Sequence, residues 1–332
     1  MAKAAVIGTT TWGTTLALLL AERGHQVWLW ARTTDEAQRL DAERQHRRRL
    51  PGVMFPAGLR VTASIGEALQ GAAAVVIAVP SPSLRENLRR VRDGLTPQRL
   101  VLCATKGLER ATAKRVSQML QEELPASLHR WLAVLSGPNL AREIAAGKPA
   151  STVVAAYDGK VATAAQELLN STRFRVYTNT DVVGVELGGA LKNIMAIGVG
   201  LAEGLEMGDN AKAAFMTRGL AEMARLGRAE GANPLTFAGL AGLGDLVATC
   251  GSQLSRNHRL GQSLARGHSL QAALAEINET VEGVDTTAAA RLLAQRHGIE
   301  MPITETTYRV LFEGLPPRDA VLELLSRAPK AE

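Results

Sequence analysis

Cysteine is nearly absent: Cys103 and Cys250 are the only two, and neither has a Cys or His neighbour at zinc spacing. With six scattered histidines, this pattern offers no metal site and no disulfide framework, and it fits a reduced protein of the cytoplasm. Aromatic residues are scarce at 4%, and they do not interleave with the basic residues. The net charge of +6 therefore lacks the setting of a nucleic-acid surface and points instead to a small anionic ligand. The N-terminus runs into a strand-like segment, so no signal peptide is expected. One apolar stretch, residues 182–205, has the length of a membrane span. Glu186, Lys192, Asn193 and Glu203 interrupt it, so a helix buried in a protein core is expected there, with no membrane insertion.

What is present in quantity is alternation. Short apolar runs at residues 4–7, 26–30, 74–79, 100–104, 132–135, 152–156 and 175–177 read as strands, with amphipathic stretches between them. The run AAVVIAV is apolar at every position, as in a parallel sheet covered on both faces. After residue 180 the β-branched runs stop. Helical patterns follow at 182–205, 211–230, 256–265, 269–277, 286–297, 303–313 and 317–326, punctuated by Gly, Asn and Pro. The expected fold is a Rossmann-like, doubly wound α/β domain over residues 1–180 and an all-α substrate domain over 181–332.

The first strand leads into G-T-T-T-W-G, residues 8–13, and then into a helix. Dinucleotide-binding βα turns carry G-x-G-x-x-G, which lets backbone amides and a helix N-terminus hold a pyrophosphate. Gly8 and Gly13 match the first and third glycines, but Thr10 stands at the second. A branched side chain there must turn away from the diphosphate or offer its hydroxyl. At the end of the second strand, Arg32 takes the place where NAD enzymes put an acid, and Arg47, Arg48 and Arg49 follow. Guanidinium groups there suit a 2′-phosphate, which makes NADP(H) the expected cofactor and NAD(H) the second choice. For the three later arginines, a solvated helix end is an equal reading.

Further segments carry a family resemblance: TTWGTTLA at 10–17, LPG at 50–52, ATKGLE at 104–109, SGPNLAREI at 136–144 and ELGGALKNIMAIGVG at 186–200. GLAGLGDLVATC at 239–250, SRNHRLG at 255–261 and VEGVDTT at 281–287 complete the set. In order and spacing the chain resembles bacterial NAD(P)-dependent glycerol-3-phosphate dehydrogenases over nearly its whole length. The resemblance implies hydride exchange between the nicotinamide and C2 of dihydroxyacetone phosphate, giving sn-glycerol 3-phosphate for phospholipid synthesis, and a homodimer.

The resemblance also implies roles. Lys192 becomes the general acid/base, with Lys106 and Asp245 beside it in the chemistry. Substrate contacts fall to Lys106, Gly137, Asn139, Asp245, Ser255, Arg256 and Asn257; many family members carry Ser or Thr at the place of Asn139. Cofactor contacts fall to Gly8, Thr10, Thr11, Trp12, Gly13, Arg32, Arg49, Lys106, Ala141, Arg256, Thr280 and Glu282. The residues support several of these independently. Lys192 has Gly188, Gly189, Met195 and Ala196 three and four positions away, surroundings that strip solvent from an ammonium and lower its pKa toward the working pH. A snorkelling surface lysine is the plainer alternative. Lys106 follows a strand end, where ligands of open α/β sheets collect. Asp245 lies among glycines and apolar residues and needs either a cationic partner or a helix N-cap role. Ser255, Arg256 and Asn257 open a helix, a setting suited to a phosphate.

Two other functions compete. A β-hydroxyacid or ketopantoate-type reductase shares the two-domain plan but acts on carboxylates, and the ATKGLE and SRN segments speak against it. A nucleotide sensor without catalysis draws only on Thr10.

Overall fold

The computed structural model describes residues 2–328. They form two compact units: one takes the described residues up to Lys106 with Arg115–Glu186, the other Gly107–Lys114 and the chain from Leu187 onward. Where the sequence suggested one change near residue 180, the chain passes between units three times.

The first unit is built on eight strands: β1 (Lys3–Ile7), β2 (Gln26–Trp30), β3 (Leu59–Thr62), β4 (Ala74–Ile77), β5 (Leu100–Cys103), β6 (Leu132–Ser136), β7 (Ala150–Ala155) and β8 (Phe174–Asn179). Their order is β3-β2-β1-β4-β5-β6-β7-β8. The first six are parallel, β7 runs antiparallel to β6, and β8 is parallel to β7. The helices are α1 (Thr11–Glu22), α2 (Thr34–Glu43), α3 (Ile65–Leu69), α4 (Leu84–Val91), α5 (Val116–Glu123), α6 (Ala141–Ala145) and α7 (Gly159–Leu169). The apolar strands are covered on both faces because successive side chains alternate. Ala4 and Val6 of β1 join one core with Leu16, Leu20 and Leu40, while Ala5 and Ile7 join another with Leu84, Leu88 and Leu120. Strand order reverses between β1 and β4, the place where doubly wound sheets open a crevice for ligands beyond the strand ends.

The helices after residue 180 are α8 (Val182–Gly204), α9 (Gly208–Ala229), α10 (Asp245–Cys250), α11 (Arg256–Ala265), α12 (Leu270–Ile277), α13 (Glu282–His297), α14 (Pro302–Phe312) and α15 (Pro317–Leu325). Although α8 is long and apolar enough to cross a membrane, 89% of its most apolar window is buried inside the protein. It is a core helix, as its internal charges suggested.

One core carboxylate has a consequence for stability. Glu222 of α9 is 3% exposed. It accepts hydrogen bonds from the amides of Ile303 at 2.5 Å and Thr304 at 3.2 Å, at the start of α14. Burial pushes its carboxyl from 4.5 up to about 7, against the pull of those donors. The folded chain thus keeps a proton that the unfolded chain has released between the two values. Stability from this group is complete below the unfolded value and is lost as pH rises through about 7. Glu222→Gln is expected to flatten the fall in Tm between pH ~5 and ~7. An unchanged slope would mean that this carboxyl titrates as an exposed one does.

Candidate active site

The turn after β1 settles the part played by Thr10. Its hydroxyl donates to the Ala78 carbonyl at 2.8 Å and accepts from the Gly13 amide at 2.9 Å. The side chain is therefore the N-cap of α1 and is turned toward the end of β4, away from the loop's outer face. Gly8 lies at φ +113°, and a Cβ there would stand 2.9 Å from the Ala78 carbonyl oxygen; at Gly13 it would stand 2.1 Å from the Gly8 oxygen. Both glycines are needed for the close approach of loop, strand and helix. The amides of Thr11 and Trp12 open α1, where the helix offers no carbonyl partner. Amide donors, a helix N-terminus and a tight glycine turn at the strand reversal fit the pyrophosphate of a dinucleotide.

Arg32 follows β2, exposed, with no hydrogen bond or ion pair to the described residues. The arginines of the later run differ in use. Arg44 caps α2 in the left-handed conformation and donates to the carbonyls of Leu59 and Pro56, both at 2.6 Å. Arg47 lies 3.4 Å from Glu43, the last residue of α2. Arg48 is exposed and pairs with no described residue.

At the ends of β5 and β6, three segments converge. Lys106 donates to the Gly137 carbonyl at 3.0 Å. Thr152 donates to the Ser136 carbonyl, and Asn139 Nδ2 donates to Thr152 Oγ1, each at 2.9 Å. Asn139 Oδ1 is buried without a partner among the described residues, an acceptor left over in the loop expected to meet substrate. Ala141 begins α6, and its carbonyl accepts from Thr15 of α1 at 3.2 Å.

In the helical unit, Lys192 is 7% exposed and Asp245 1% exposed. Lys192 Nζ lies 2.5 Å from Asp245 Oδ1 and 2.6 Å from Thr249 Oγ1. The lysine is not a snorkelling surface group, and the aspartate is not an N-cap. Gly244 precedes α10 without a side-chain cap, and Asp245 is spent on the lysine. The carboxylate is the partner expected for this lysine, and it offsets the desolvation of the ammonium. The glycines around these residues have a physical reason. A π-turn, Leu240–Gly244, delivers Asp245, and its Ala241 carbonyl oxygen would lie 2.6 Å from a Cβ on Gly188. Only glycine at 188 lets that turn lie against α8.

Ser255 caps α11, accepting from the His258 amide at 3.2 Å. Arg256 donates to the Thr280 carbonyl at 2.7 Å. Asn257 is 8% exposed. Its side chain donates to Asn193 Oδ1 and accepts from the Gly283 amide, both at 2.9 Å. One Nδ2 hydrogen and one Oδ1 lone pair are thus engaged within the protein, and the α11 start also offers an anion the arginine and the first-turn backbone amides. Glu282 is the first residue of α13.

Two residues escaped the sequence reading. Thr249 lies one helical turn after Asp245 and shares Lys192 with it; a threonine in an apolar helix gives no signal of its own. Asn193 is 3% exposed, and its Nδ2 has no partner among the described residues. Adjacency to Lys192 was the available hint.

A dinucleotide-type sheet unit joined to a helical unit that buries a lysine–carboxylate pair defines an NAD(P)-dependent oxidoreductase of the two-domain kind. Two family models, the N- and C-terminal parts of NAD-dependent glycerol-3-phosphate dehydrogenase, match residues 3–162 and 181–322. The chain belongs to this family. It is 51% identical to glycerol-3-phosphate dehydrogenase [NAD(P)+] of Dehalococcoides mccartyi (strain ATCC BAA-2266 / KCTC 15142 / 195), over 98% of this chain and 91% of the relative. The enzyme of the same name from Desulfitobacterium hafniense (strain Y51) is 49% identical over 100% and 93%. Among solved structures, glycerol-3-phosphate dehydrogenase from Coxiella burnetii superposes with a TM-score of 0.93 at 39% identity, covering 98% of this chain and 99% of that one.

Proposed function

We propose that the chain interconverts dihydroxyacetone phosphate and sn-glycerol 3-phosphate, with NADP(H) preferred over NAD(H). The observation that carries this reading is the buried Lys192 with its two oxygen partners, a held proton donor in a family of this activity. When bound, the reduced cofactor supplies the hydride that adds to C2 of the ketone. Lys192 gives its Nζ proton to the oxygen on C2 as negative charge gathers there, and takes it back in the oxidative direction. Asp245 stabilises the ammonium before transfer, and Thr249 fixes its direction. Lys106, Gly137 and Asn139 contact the substrate. Ser255, Arg256 and Asn257 provide the phosphate with a guanidinium and a helix N-terminus. The loop between Gly8 and Gly13 holds the pyrophosphate through the amides of Thr11 and Trp12, while Ala141, Thr280 and Glu282 are further cofactor contacts.

The NADPH preference rests on Arg32, with Arg49 in support. The test follows loss of reduced-nicotinamide absorbance with dihydroxyacetone phosphate and either cofactor. Wild type should favour NADPH, and Arg32→Ala should raise KM for NADPH about tenfold while leaving that for NADH nearly unchanged. Equal use of both cofactors by wild type would remove the preference.

The product places the enzyme at the supply of glycerophospholipid precursors in the cytoplasm. Cells that depend on this chain should then need added glycerol 3-phosphate when it is depleted. A homodimer is supported by the exposed Leu235, Leu243, Val247 and Leu254, close together in sequence around α10. A monomeric mass in sedimentation velocity would end that part of the reading.

A further inference from the structure

His46 belongs to none of the motifs above, and it lies in the most basic stretch of the chain. It is 3% exposed, which is unusual for a polar residue followed directly by Arg47, Arg48 and Arg49. Its Nε2 lies 3.1 Å from the carbonyl oxygen of Thr9, inside the phosphate loop. Because a carbonyl only accepts, Nε2 carries the proton and donates. Burial holds the ring below its ordinary histidine value, against the pull of the Thr9 carbonyl and Glu36, so it meets Thr9 as a neutral imidazole at pH ~7. The same loop residue is held from a second side. Thr9 Oγ1 donates to Glu36 Oε1 of α2 at 2.9 Å.

The main chain of His46 is equally engaged. Its carbonyl accepts the amides of Arg49 at 3.0 Å and Leu50 at 2.8 Å. The turn that carries Arg47, Arg48 and Arg49 is therefore folded on His46, and the 2% exposed Leu50 anchors its far end. One residue thus fastens the arginine turn to the loop that precedes α1.

We propose that His46 is a positioning residue for the cofactor, bolting the arginine turn to the phosphate loop so that both phosphate-binding elements keep one register. Glu36, through the Thr9 hydroxyl, is the second arm of this brace. The inference rests on the reading that a dinucleotide lies over the loop of Gly8 and Gly13, and it adds the part that keeps that loop in place. No proton or hydride moves through His46. Its effect is on cofactor affinity, because a loop free to shift must be ordered again at each binding event.

The test compares wild type with His46→Ala, His46→Gln and Glu36→Ala, taking KM for NADPH and NADH and kcat at saturating cofactor. Glutamine is the conservative variant because its side-chain NH2 can donate where the imidazole Nε2–H does. His46→Ala should raise KM for NADPH about tenfold and for NADH about threefold, with kcat within about twofold of wild type. His46→Gln should bring both KM values back to within about threefold of wild type. Glu36→Ala, which sits on a half-exposed helix start, should raise both KM values by about threefold without loss of folding. Unchanged KM values in His46→Ala and Glu36→Ala would overturn the proposal. So would a folded His46→Gln that binds cofactor as poorly as His46→Ala, or a fall in kcat with KM untouched. If wild type uses NADH as well as NADPH while the variants still raise both KM values, the 2′-phosphate reading falls and the brace stands.

Discussion

Lys192→Ala is expected to lower kcat for dihydroxyacetone phosphate reduction by a factor of about 10²–10⁴, the usual worth of a positioned general acid. The substitution removes the ammonium that donates to both Asp245 and Thr249. It also leaves Asp245, at 1% exposure, as a buried carboxylate without its ammonium. Two effects must then be separated, loss of the proton donor and loss of the charge partner. Lys192→Met with Asp245→Asn does so, because it removes the donor without stranding a charge. The kcat loss should persist in the double variant while thermal stability recovers. A double variant that regains activity would be inconsistent with proton donation by Lys192.

The second large effect is expected in the sheet unit. Glu186, in the opening turns of α8, accepts from Arg115 Nη1 at 2.7 Å, the Ser117 amide at 2.5 Å and the Ser117 hydroxyl at 2.6 Å. The Arg115 and Glu186 side chains are 9% and 6% exposed. Burial still raises the Glu186 carboxyl above its ordinary value despite these donors, so both charges are expensive to hold without each other. Glu186→Ala should cost about 3–5 kcal/mol, a fall in Tm of roughly 6–20 °C for a unit of this size. Replacing both partners, Arg115→Met with Glu186→Leu, should lose far less. Equal losses in the single and double variants, measured by thermal unfolding, would assign the effect to packing instead of charge.

Much of this protein was readable from residue order because local rules and tertiary demands agree along most of it. β2 and α11 fall where the apolar pattern and the Ser255 cap put them. The exception in the sheet is β3, four residues with Arg60 in the middle. As the edge strand it needs little apolar character, so no run announced it. In the helical unit, α10 went unseen because its approach is a glycine-rich π-turn, which resembles a loop in sequence. Lys192 and Asp245 were legible as charges stranded among apolar neighbours. Their contact was expected too, because a carboxylate in such surroundings needs a cationic partner; what brings them together across 53 positions is the turn packed on Gly188. Thr10 shows the opposite case. As a motif letter it seemed a defect, whereas its hydroxyl replaces the missing glycine with a helix cap.

The segment Gly107–Lys114 ties this protein's assembly to the order of its synthesis. Arg110 of that segment lies 3.4 Å from Asp285 and 5.1 Å from the ring centre of Phe312, and Arg296 donates to the Thr112 carbonyl at 2.9 Å. On the ribosome the chain emerges N-terminus first. The sheet unit has all its residues once Glu186 is out, whereas the 107–114 excursion must wait for residues up to 312 before its partners exist. A nascent chain stopped after Glu186 but before that point carries all the residues of the sheet unit together with an unpartnered 107–114 excursion. Neither half could be harvested by cutting once near residue 180, because the upstream fragment would keep a piece that belongs to the downstream one.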